Sequence, residues 1–278
     1  MTEHTTELRR LFGLQVAPLT LAEATALAAD AVALRTRLLF GVLNAAKVVK
    51  LTRDDLLRDS LLEADVLLAD GQSVVWASRL LRQPLPERVA GIDLFESLLE
   101  LADSQHLRVY LLGAKPEVLA RLEDVVRTRW PNIVLAGSRD GYFTESESAD
   151  VAADIVQAKP DMLFLGITTP KKEIFLGRHG DLLGVPVLHG VGGSFDVFAG
   201  VTKRAPLRWQ RLGLEWAYRL VQEPRRLWRR YLTTNVSFIG LLARELVKPR
   251  PIYTRPAGDA ERTNHHEDMS WTHSSTDA

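Results

Sequence analysis

The chain has 278 residues, of which 46% are hydrophobic and 25% are charged, and its formal net charge at neutral pH is zero. This composition is ordinary for a globular protein with room for one large domain and an appendage, and the balanced charge argues against a whole-surface polyanion binder. The chain contains no cysteine, which excludes disulfide bonds, cysteine-based metal sites and thiol nucleophiles.

The sequence shows no pattern typical of a signal peptide or of a membrane-spanning segment. Residues 1–10 are polar and charged and lack the apolar core of a signal peptide. The best candidate span, residues 236–243, is too short to cross a bilayer. We therefore expect a cytoplasmic protein, and the composition leaves open whether it attaches peripherally to a membrane.

Short apolar runs alternate with amphipathic stretches through the central part of the chain. This alternation is typical of βαβ units and predicts an α/β fold, with a Rossmann-like, mostly parallel sheet flanked by helices. The predicted strands are residues 37–42, 66–69, 108–112, 133–136, 162–165 and 185–188. The predicted helices between them include residues 93–105, 116–129, 146–158 and 172–182.

The pattern changes after Arg204, where residues 207–221 and 224–247 predict two long helices with no strand between them. Residues 203–230 carry nine Lys and Arg against two acids, which indicates a localised anionic partner. We predict an α/β domain over residues 1–200, a basic helical appendage over 201–250 and a disordered tail over 251–278.

Polar and glycine-rich residues cluster where the predicted strands end. They include Asn44, Asp70, Gly71, Gly113, Gly137, residues 166–170, Gly192 and Gly193. In an open parallel sheet, ligands bind outside the carboxyl ends of the strands, so these residues should converge on one site. The alternative is that glycine and aspartate only form the turns between strands and helices.

The run Gly190-Val191-Gly192-Gly193-Ser194-Phe195-Asp196 joins an apolar strand to the predicted start of a helix. Backbone amides exposed at such a junction suit an oxyanion such as phosphate. Because the basic appendage follows directly, this run suggests a substrate that carries several phosphates and is met near a membrane.

Four further side chains are candidates for chemistry. Asp70, between an apolar strand and a glycine, is placed for a general base or for capping a helix near Gln72. Arg88 could clamp a phosphate or pair with Glu87 or Asp93. Lys172, next to another lysine at a predicted helix start, favours an anionic ligand or an exposed helix end. Tyr142 could stack on a nucleobase or pack in the core.

Several familiar motifs are missing from the sequence. The chain contains no G-x-x-x-x-G-K-[ST], no G-x-G-x-x-G, no Asp-x-Asp and no H-E-x-x-H. These absences argue against a P-loop ATPase and a dinucleotide enzyme, and we expect neither a bound metal nor another cofactor. If a diphosphate leaves during the reaction, protein cations such as those of the appendage would neutralise it.

The chain resembles the WecG/TagA/CpsF glycosyltransferases (family 26) over roughly residues 15–245. The motifs that carry the resemblance are Asn44, Asp70-Gly71, Glu87-Arg88-Val89-x-Gly91, Asp140-Gly141-Tyr142-Phe143, Pro170-Lys171-x-Glu173, Gly190-x-Gly192-Gly193-x-Phe195-Asp196, Arg204-Ala205-Pro206, Leu214-Glu215-Trp216-x-x-Arg219-Leu220 and Glu223-Pro224-x-Arg226. They occur here in the order that the family has.

The resemblance implies an inverting, metal-independent enzyme of bacterial surface polysaccharide or teichoic acid synthesis. It would move a sugar, often N-acetylmannosamine, from a UDP-sugar to a polyprenyl-diphosphate-linked sugar at the inner face of the membrane. The appendage would close over the active site and help membrane attachment. Asp70 would be the general base. Arg88, Arg204, Arg219 and Arg226 would contact phosphates, Tyr142 and Asp196 the nucleotide, and Asn44, Gly71, Pro170, Lys172, Glu173, Gly192 and Gly193 the substrates.

Two positions depart from the family pattern. Lys172 stands where the family usually has glutamine, and Val42 where many members have threonine. Lysine offers only charge and donors, whereas glutamine can also accept a hydrogen bond. The donor sugar therefore stays open between N-acetylmannosamine, a hexose, another N-acetylhexosamine and an acidic sugar.

Other functions compete with this interpretation. The main alternative is a non-catalytic adaptor that binds a membrane or a nucleic acid through the arginine-rich helices, although it gives the strand-end residues no role. A hydrolase or epimerase of nucleotide sugars ranks lower, because the chain lacks G-x-S-x-G and a dinucleotide fingerprint. For the enzyme we expect no nucleic acid partner, and a homo-oligomer remains open.

Overall fold

The computed structural model describes residues 7–211 and 213–254, with the side chains of residues 211, 219, 226 and 230 outside that description. The strands are β1 (Arg9–Leu11), β2 (Leu14–Val16), β3 (Leu38–Leu43), β4 (Val66–Ala69), β5 (Arg108–Gly113), β6 (Val134–Arg139), β7 (Met162–Gly166) and β8 (Val187–Gly190). The helices are α1 (Leu21–Leu34), α2 (Ala45–Lys50), α3 (Asp55–Glu63), α4 (Gln72–Leu80), α5 (Gly91–Ser104), α6 (Pro116–Arg129), α7 (Ser148–Ala158), α8 (Lys171–His179), α9 (Ser194–Phe198), α10 (Leu207–Arg211), α11 (Glu215–Gln222) and α12 (Pro224–Val247).

A six-stranded parallel sheet in the order β4-β3-β8-β7-β5-β6 forms the centre of the fold. The prediction of a Rossmann-like parallel sheet flanked by helices is confirmed, and each predicted strand has its counterpart. Because all strands run the same way, the strand-end residues meet at one edge. The central strand β7 is a continuous apolar run because both of its faces are covered, and its neighbour β8 is likewise buried but contains His189.

Helices cover both faces of the sheet and bury its apolar side chains. On one face α1, α5, α6 and α9 contribute a core in which Phe95 contacts Phe164, Phe195 and Phe198 at ring distances of 4.7, 5.6 and 5.2 Å. On the other face α7 and α8 pack on β5 and β7, with Phe175 fully buried. A third core lies around β1, β2, α2, α3 and α4.

Some elements differ from the sequence-based expectation. The β1–β2 hairpin and the helices α1, α2 and α3 were not predicted, although Thr20 and Glu23 form a capping box at the start of α1. The single helix expected over residues 207–221 is divided into α10 and α11, because Gly213 lies between them with a φ of +69°. The helix expected after Gly193 is α9, which has five residues.

The second half of α12 packs against the beginning of the chain. The ring of Phe238 lies 5.4 Å from that of Phe12 in the β1–β2 hairpin. Tyr253 N donates 2.8 Å to Gly13 O, and a Cβ atom at Gly13 would lie 2.8 Å from the tyrosine ring. Of the tail predicted over residues 251–278, residues 255–278 lie outside the described residues, and the part around Tyr253 is packed on the hairpin.

Among the described helices, α12 included, none has the combination of length and apolar character that a bilayer-crossing helix needs.

Candidate active site

Asp70 and Asn44 lie side by side at the carboxyl end of the sheet, where β4 and β3 end. Asn44 Nδ2 donates 3.3 Å to Asp70 Oδ2, and Asn44 Oδ1 accepts from Lys47 N at 3.1 Å, which caps α2. Gly71 stands directly behind them, and a Cβ atom there would lie 3.2 Å from the Cβ of Asn44. The glycine therefore lets the beginnings of α2 and α4 approach closely.

The other oxygen of Asp70 is held by the first residue of α5. Gly91 N donates 3.2 Å to Asp70 Oδ1. The N-cap of α4 is Gly71, which makes no side-chain cap hydrogen bond. The alternative that Asp70 caps the helix near Gln72 is therefore wrong, because the carboxylate binds the N terminus of a different helix.

His189 supports Gly91 from inside the sheet. It lies in β8, is fully buried, and its Nε2 lies 3.0 Å from Gly91 O. Burial in the strand lowers the pKa of His189 to about 4, so the imidazole is neutral near pH 7. Because a carbonyl oxygen only accepts, the neutral ring carries its proton on Nε2. His189 was not singled out from the sequence, although a polar residue ending an apolar strand is a signal.

Lys47, Lys172 and Glu173 form one group of charges with Asp70. Lys47 Nζ donates 2.7 Å to Val42 O, and Lys172 Nζ lies 3.1 Å from Glu173 Oε1. Removal of the ammonium from water and repulsion by Lys172 lower the pKa of Lys47 to about 8, against the attraction of Asp70 and Glu173. The ionisation of Lys47 is therefore linked to the charges of this site.

The beginning of α8 brings Lys172 and Glu173 to the end of β8. Pro170 is the N-cap of α8, and Thr169 Oγ1 donates 3.1 Å to the buried Glu173 Oε1. A Cβ atom at Gly190 would lie 3.0 Å from Lys172 Cδ, so the glycine makes room for the lysine. A small cleft runs from these residues towards α3.

Arg88 and Arg204 are both paired with carboxylates. Arg88 Nη1 donates to Glu215 Oε2, and Arg88 Nη2 lies 3.7 Å from Asp93 Oδ2. Arg204 binds the same carboxylates through Nη2 and Nε. Of the pairings considered for Arg88, the one with Asp93 is present, whereas Glu87 Oε1 accepts from Leu21 N. The contact with Glu215 was not foreseen.

Tyr142 lies in the loop after β6 with 59% of its surface exposed. Asp140 Oδ1 accepts from Tyr142 N at 2.8 Å and fixes the turn. The buried aromatic side chain of this loop is Phe143, so the core alternative for Tyr142 is wrong. Lys171 Nζ donates 2.7 Å to Gly141 O and also binds Phe143 O, which gives this lysine a structural role.

The glycine run after β8 leaves an open surface. Gly192 and Gly193 are exposed, a Cβ atom on either would meet nothing within 4 Å, and Gly192 has a φ of +53°. Asp196 lies one turn further on, in α9. Arg219 and Arg226 lie in α11 and α12, and their side chains fall outside the described residues.

The comparisons with known proteins agree with one another. The sequence model of the glycosyl transferase WecG/TagA/CpsF family matches residues 9–251. The chain belongs to this family. A protein of Bacillus spizizenii (strain ATCC 23059 / NRRL B-14472 / W23), named N-acetylglucosaminyldiphosphoundecaprenol N-acetyl-beta-D-mannosaminyltransferase, is 41% identical over 199 residues. The match covers 72% of this chain and 76% of the relative.

Membership in the WecG/TagA/CpsF family confirms the resemblance stated from the sequence motifs, and the matched region extends beyond residues 15–245 at both ends. The chain is a glycosyltransferase, which favours the enzyme over the adaptor. Within this member of the family, the structure brings Asn44, Asp70 and Gly71 together with Lys172 and Glu173. It adds Lys47 and His189, which the sequence did not single out, and it gives contacts to Gly91 and Glu215, which belonged to the family motifs without an assigned role.

Proposed function

We propose that this glycosyltransferase moves an N-acetylmannosaminyl or related hexosyl or N-acetylhexosaminyl group from a UDP-sugar to a saccharide on a polyprenyl diphosphate. The reaction would invert the anomeric configuration, need no metal and serve bacterial surface polysaccharide synthesis. The observation that carries the proposal is the 41% identity to a protein whose name states an N-acetylmannosaminyl transfer to a diphosphoundecaprenol-linked sugar. The alternative donors stay open because Lys172 departs from the family pattern.

Asp70 is the proposed general base. Each of its oxygens accepts one hydrogen bond, from Gly91 N and from Asn44 Nδ2, which fixes the carboxylate and leaves lone pairs for a proton. Asp70 takes the proton of the acceptor hydroxyl while that oxygen bonds to the anomeric carbon. The bond from this carbon to UDP breaks on the opposite face, and its electron pair stays on the departing diphosphate.

Protein cations and amides would stabilise the departing diphosphate. Arg88 and Arg204 lie at the edge of the site, and the exposed Gly192 and Gly193 follow the end of β8. The appendage, proposed as residues 201–250, would add Arg219 and Arg226 as it covers the site. Charge that develops on a leaving group is stabilised most by donors that are already in place.

Tyr142 and Asp196 are the proposed contacts of the nucleotide. Tyr142 presents an exposed ring on a turn that Asp140 and Lys171 hold in place, as a base-stacking side chain requires. Asp196 follows the glycine run in α9, and its carboxylate is proposed to accept hydrogen bonds from the uridine.

The enzyme is proposed to act on the inner face of the cell membrane, as a peripheral protein. Exposed apolar side chains recur along one side of α12, namely Trp228, Leu232, Val236, Ile239 and Leu246. Their spacing of three and four residues, and of seven at the end, places them on one stripe, and the exposed Arg225 and Arg229 flank its beginning. An apolar stripe with basic neighbours is typical of helices that lie on anionic lipid.

The test is turnover in EDTA with UDP-N-acetylmannosamine, UDP-N-acetylglucosamine and UDP-glucose, each with a prenyl-diphosphate-linked N-acetylglucosamine. We expect UDP release that requires both substrates, and a product of inverted configuration by NMR. Calorimetry with UDP in EDTA should show binding that Asp196→Ala weakens, with the exposed Asp124→Asn as the control. A folded enzyme that binds no UDP at the surface of anionic vesicles contradicts the proposal.

A further inference from the structure

Four charged side chains of alternating sign form a closed ring beside the active site. Glu215 contacts Arg88 and lies 3.3 Å from Arg204 Nε, while Asp93 contacts Arg204 and lies 3.7 Å from Arg88 Nη2. Each carboxylate therefore touches both arginines. The four side chains are between 14% and 30% exposed, so solvent screens them only in part. We call these residues the charge ring.

The charge ring joins segments that are distant in sequence. Arg88 precedes α5, Asp93 lies in the first turn of α5, Arg204 follows α9, and Glu215 is the first residue of α11. Glu215 is thus the member of the charge ring that α11 contributes. The other three members lie at the beginning of α5 or just after α9. Breaking one member of such a network leaves the others partly buried and unbalanced.

A second contact, made by Gly213 just before α11, places the beginning of α11 against the active site. A Cβ atom at Gly213 would lie 2.5 Å from Gln72 Cγ, so the backbone before Glu215 packs directly on the beginning of α4. Gln72 follows Gly71 and stands two positions after the proposed base Asp70. The position of α11 and the geometry of the site are therefore linked at two points.

The charge ring fixes both arginines without using all of their donors. A guanidinium has five N–H donors. The ring engages Nη1 and Nη2 of Arg88 and Nη2 and Nε of Arg204. Without the carboxylates, two neighbouring guanidinium groups would repel each other and turn away. With the carboxylates in place, both guanidinium groups are already oriented when an anion binds beside the charge ring.

We propose that Glu215 is a positioning residue, which holds Arg88 and Arg204 in the orientation that receives the diphosphate and at the same time docks α11 beside Asp70. This inference rests on the proposed function, because it concerns how that site binds its diphosphate. It differs from a competing arrangement in which the Glu215 carboxylate occupies the place of the diphosphate and must leave. The two arrangements predict opposite effects on UDP affinity.

The experiment compares Glu215→Gln with Asp93→Asn, which changes the ring carboxylate outside the appendage. Glu100→Gln, an exposed change on the same α5 helix, is the control. UDP affinity is measured by calorimetry, and hydrogen exchange is measured for the amides of residues 213–218, where Ala217 and Tyr218 donate to Leu214 O. For Glu215→Gln we expect UDP to bind about tenfold more weakly and these amides to exchange faster.

The control variants complete the expected pattern. Asp93→Asn should weaken UDP binding while the exchange of residues 213–218 stays as in the wild type, and Glu100→Gln should change neither. Glu215→Asp, which keeps the charge, should recover part of the affinity and serves in place of Glu215→Gln if that variant does not fold.

Two outcomes would overturn the inference. Tighter UDP binding by Glu215→Gln would show that Glu215 competes with the diphosphate, and unchanged binding with faster exchange would show that it only docks α11. A folded wild type that binds no UDP would contradict the proposed donor instead. In that case the exchange data alone still decide whether Glu215 docks the appendage.

Discussion

The imidazole Nε2 of His189 lies 3.0 Å from the carbonyl oxygen of Gly91, the residue whose N–H binds Asp70. A side chain buried in the middle of the sheet thus fixes the first turn of α5, and through it the proposed base. Since the pKa of His189 is lowered to about 4 by burial, the ring supports Gly91 as a neutral donor at neutral pH.

The lowered pKa of His189 predicts a specific loss of stability in acid. Between its unfolded value near 6.5 and its folded value near 4, the unfolded chain binds a proton that the folded protein does not. The free energy of unfolding should therefore decrease as the pH is lowered through this window, by up to about 3 kcal/mol in total. Urea unfolding from pH 7.5 to 4 measures it. His189→Gln keeps an amide donor but cannot titrate, so its pH dependence should be shallower. If the wild type and His189→Gln showed the same pH dependence of the free energy of unfolding, His189 would not be the group that titrates.

Asp70→Asn should remove turnover and leave donor binding intact. The amide keeps the shape of the side chain but cannot take the proton of the acceptor hydroxyl, so kcat should fall by about 10²–10⁴-fold. UDP affinity should stay within a factor of about two, since the proposed contact of Asp70 is with the acceptor. Single-turnover assays and calorimetry measure both quantities. Unchanged turnover would remove Asp70 from the mechanism, and Asp124→Asn, which alters an exposed carboxylate, is the control.

Lys47→Met should stabilise the protein and impair the enzyme. Burial lowers the pKa of Lys47 to about 8 in spite of the attraction of Asp70 and Glu173, so replacing the ammonium by a methionine should raise the free energy of unfolding at pH 7 by about 1–3 kcal/mol. Activity should fall, because the charge beside Asp70 and Lys172 is lost. Thermal melts and steady-state assays test the two effects. A destabilised variant would show that the bond from Lys47 Nζ to Val42 O matters more than the burial of charge.

Gly213→Ala should weaken the docking of the appendage. Its new Cβ would lie 2.5 Å from Gln72 Cγ at a φ of +69°, so both the contact and the backbone become strained. We expect activity to drop about tenfold, and Gln72→Gly in the same chain to restore part of it, because Gln72 Cβ would itself lie 2.7 Å from the new atom. The activities of the two single variants and of the double variant give the coupling energy between positions 213 and 72. If the second change restores nothing, backbone strain alone explains the loss.

The apolar stripe of α12 should decide membrane attachment. The combined variant Trp228→Ala, Leu232→Ala and Ile239→Ala should lose most of its sedimentation with anionic vesicles, because the apolar area that enters the lipid is removed. Leu34→Ala with Leu182→Ala removes exposed apolar side chains elsewhere and should change nothing. If vesicle binding persists while the mass by light scattering drops, the stripe covers a second copy of the chain instead.

The parallel sheet could be predicted because buried strands such as β7 are unbroken apolar runs, and parallel order then places Asn44 and Asp70 at one edge. The charge ring could not be predicted, since Arg88 and Glu215 are 127 positions apart and their pairing depends on how α11 folds back. The β1–β2 hairpin has strands of three residues, too short for an alternating pattern to be recognised. The break before α11 did have a sequence signal, because a glycine at position 213 is typical of a helix end.

The packing of α12 on α2 has a consequence for heat inactivation. Phe238 belongs to the same buried cluster as Val48 of α2, and the N-cap of α2 is Asn44, whose amide binds Asp70. If α12 loosens, α2 loses packing, and the hydrogen bond from its N-cap Asn44 to Asp70 is disturbed while the sheet itself stays intact. On warming, catalytic output should decline several degrees before the far-ultraviolet signal of the sheet and helices changes.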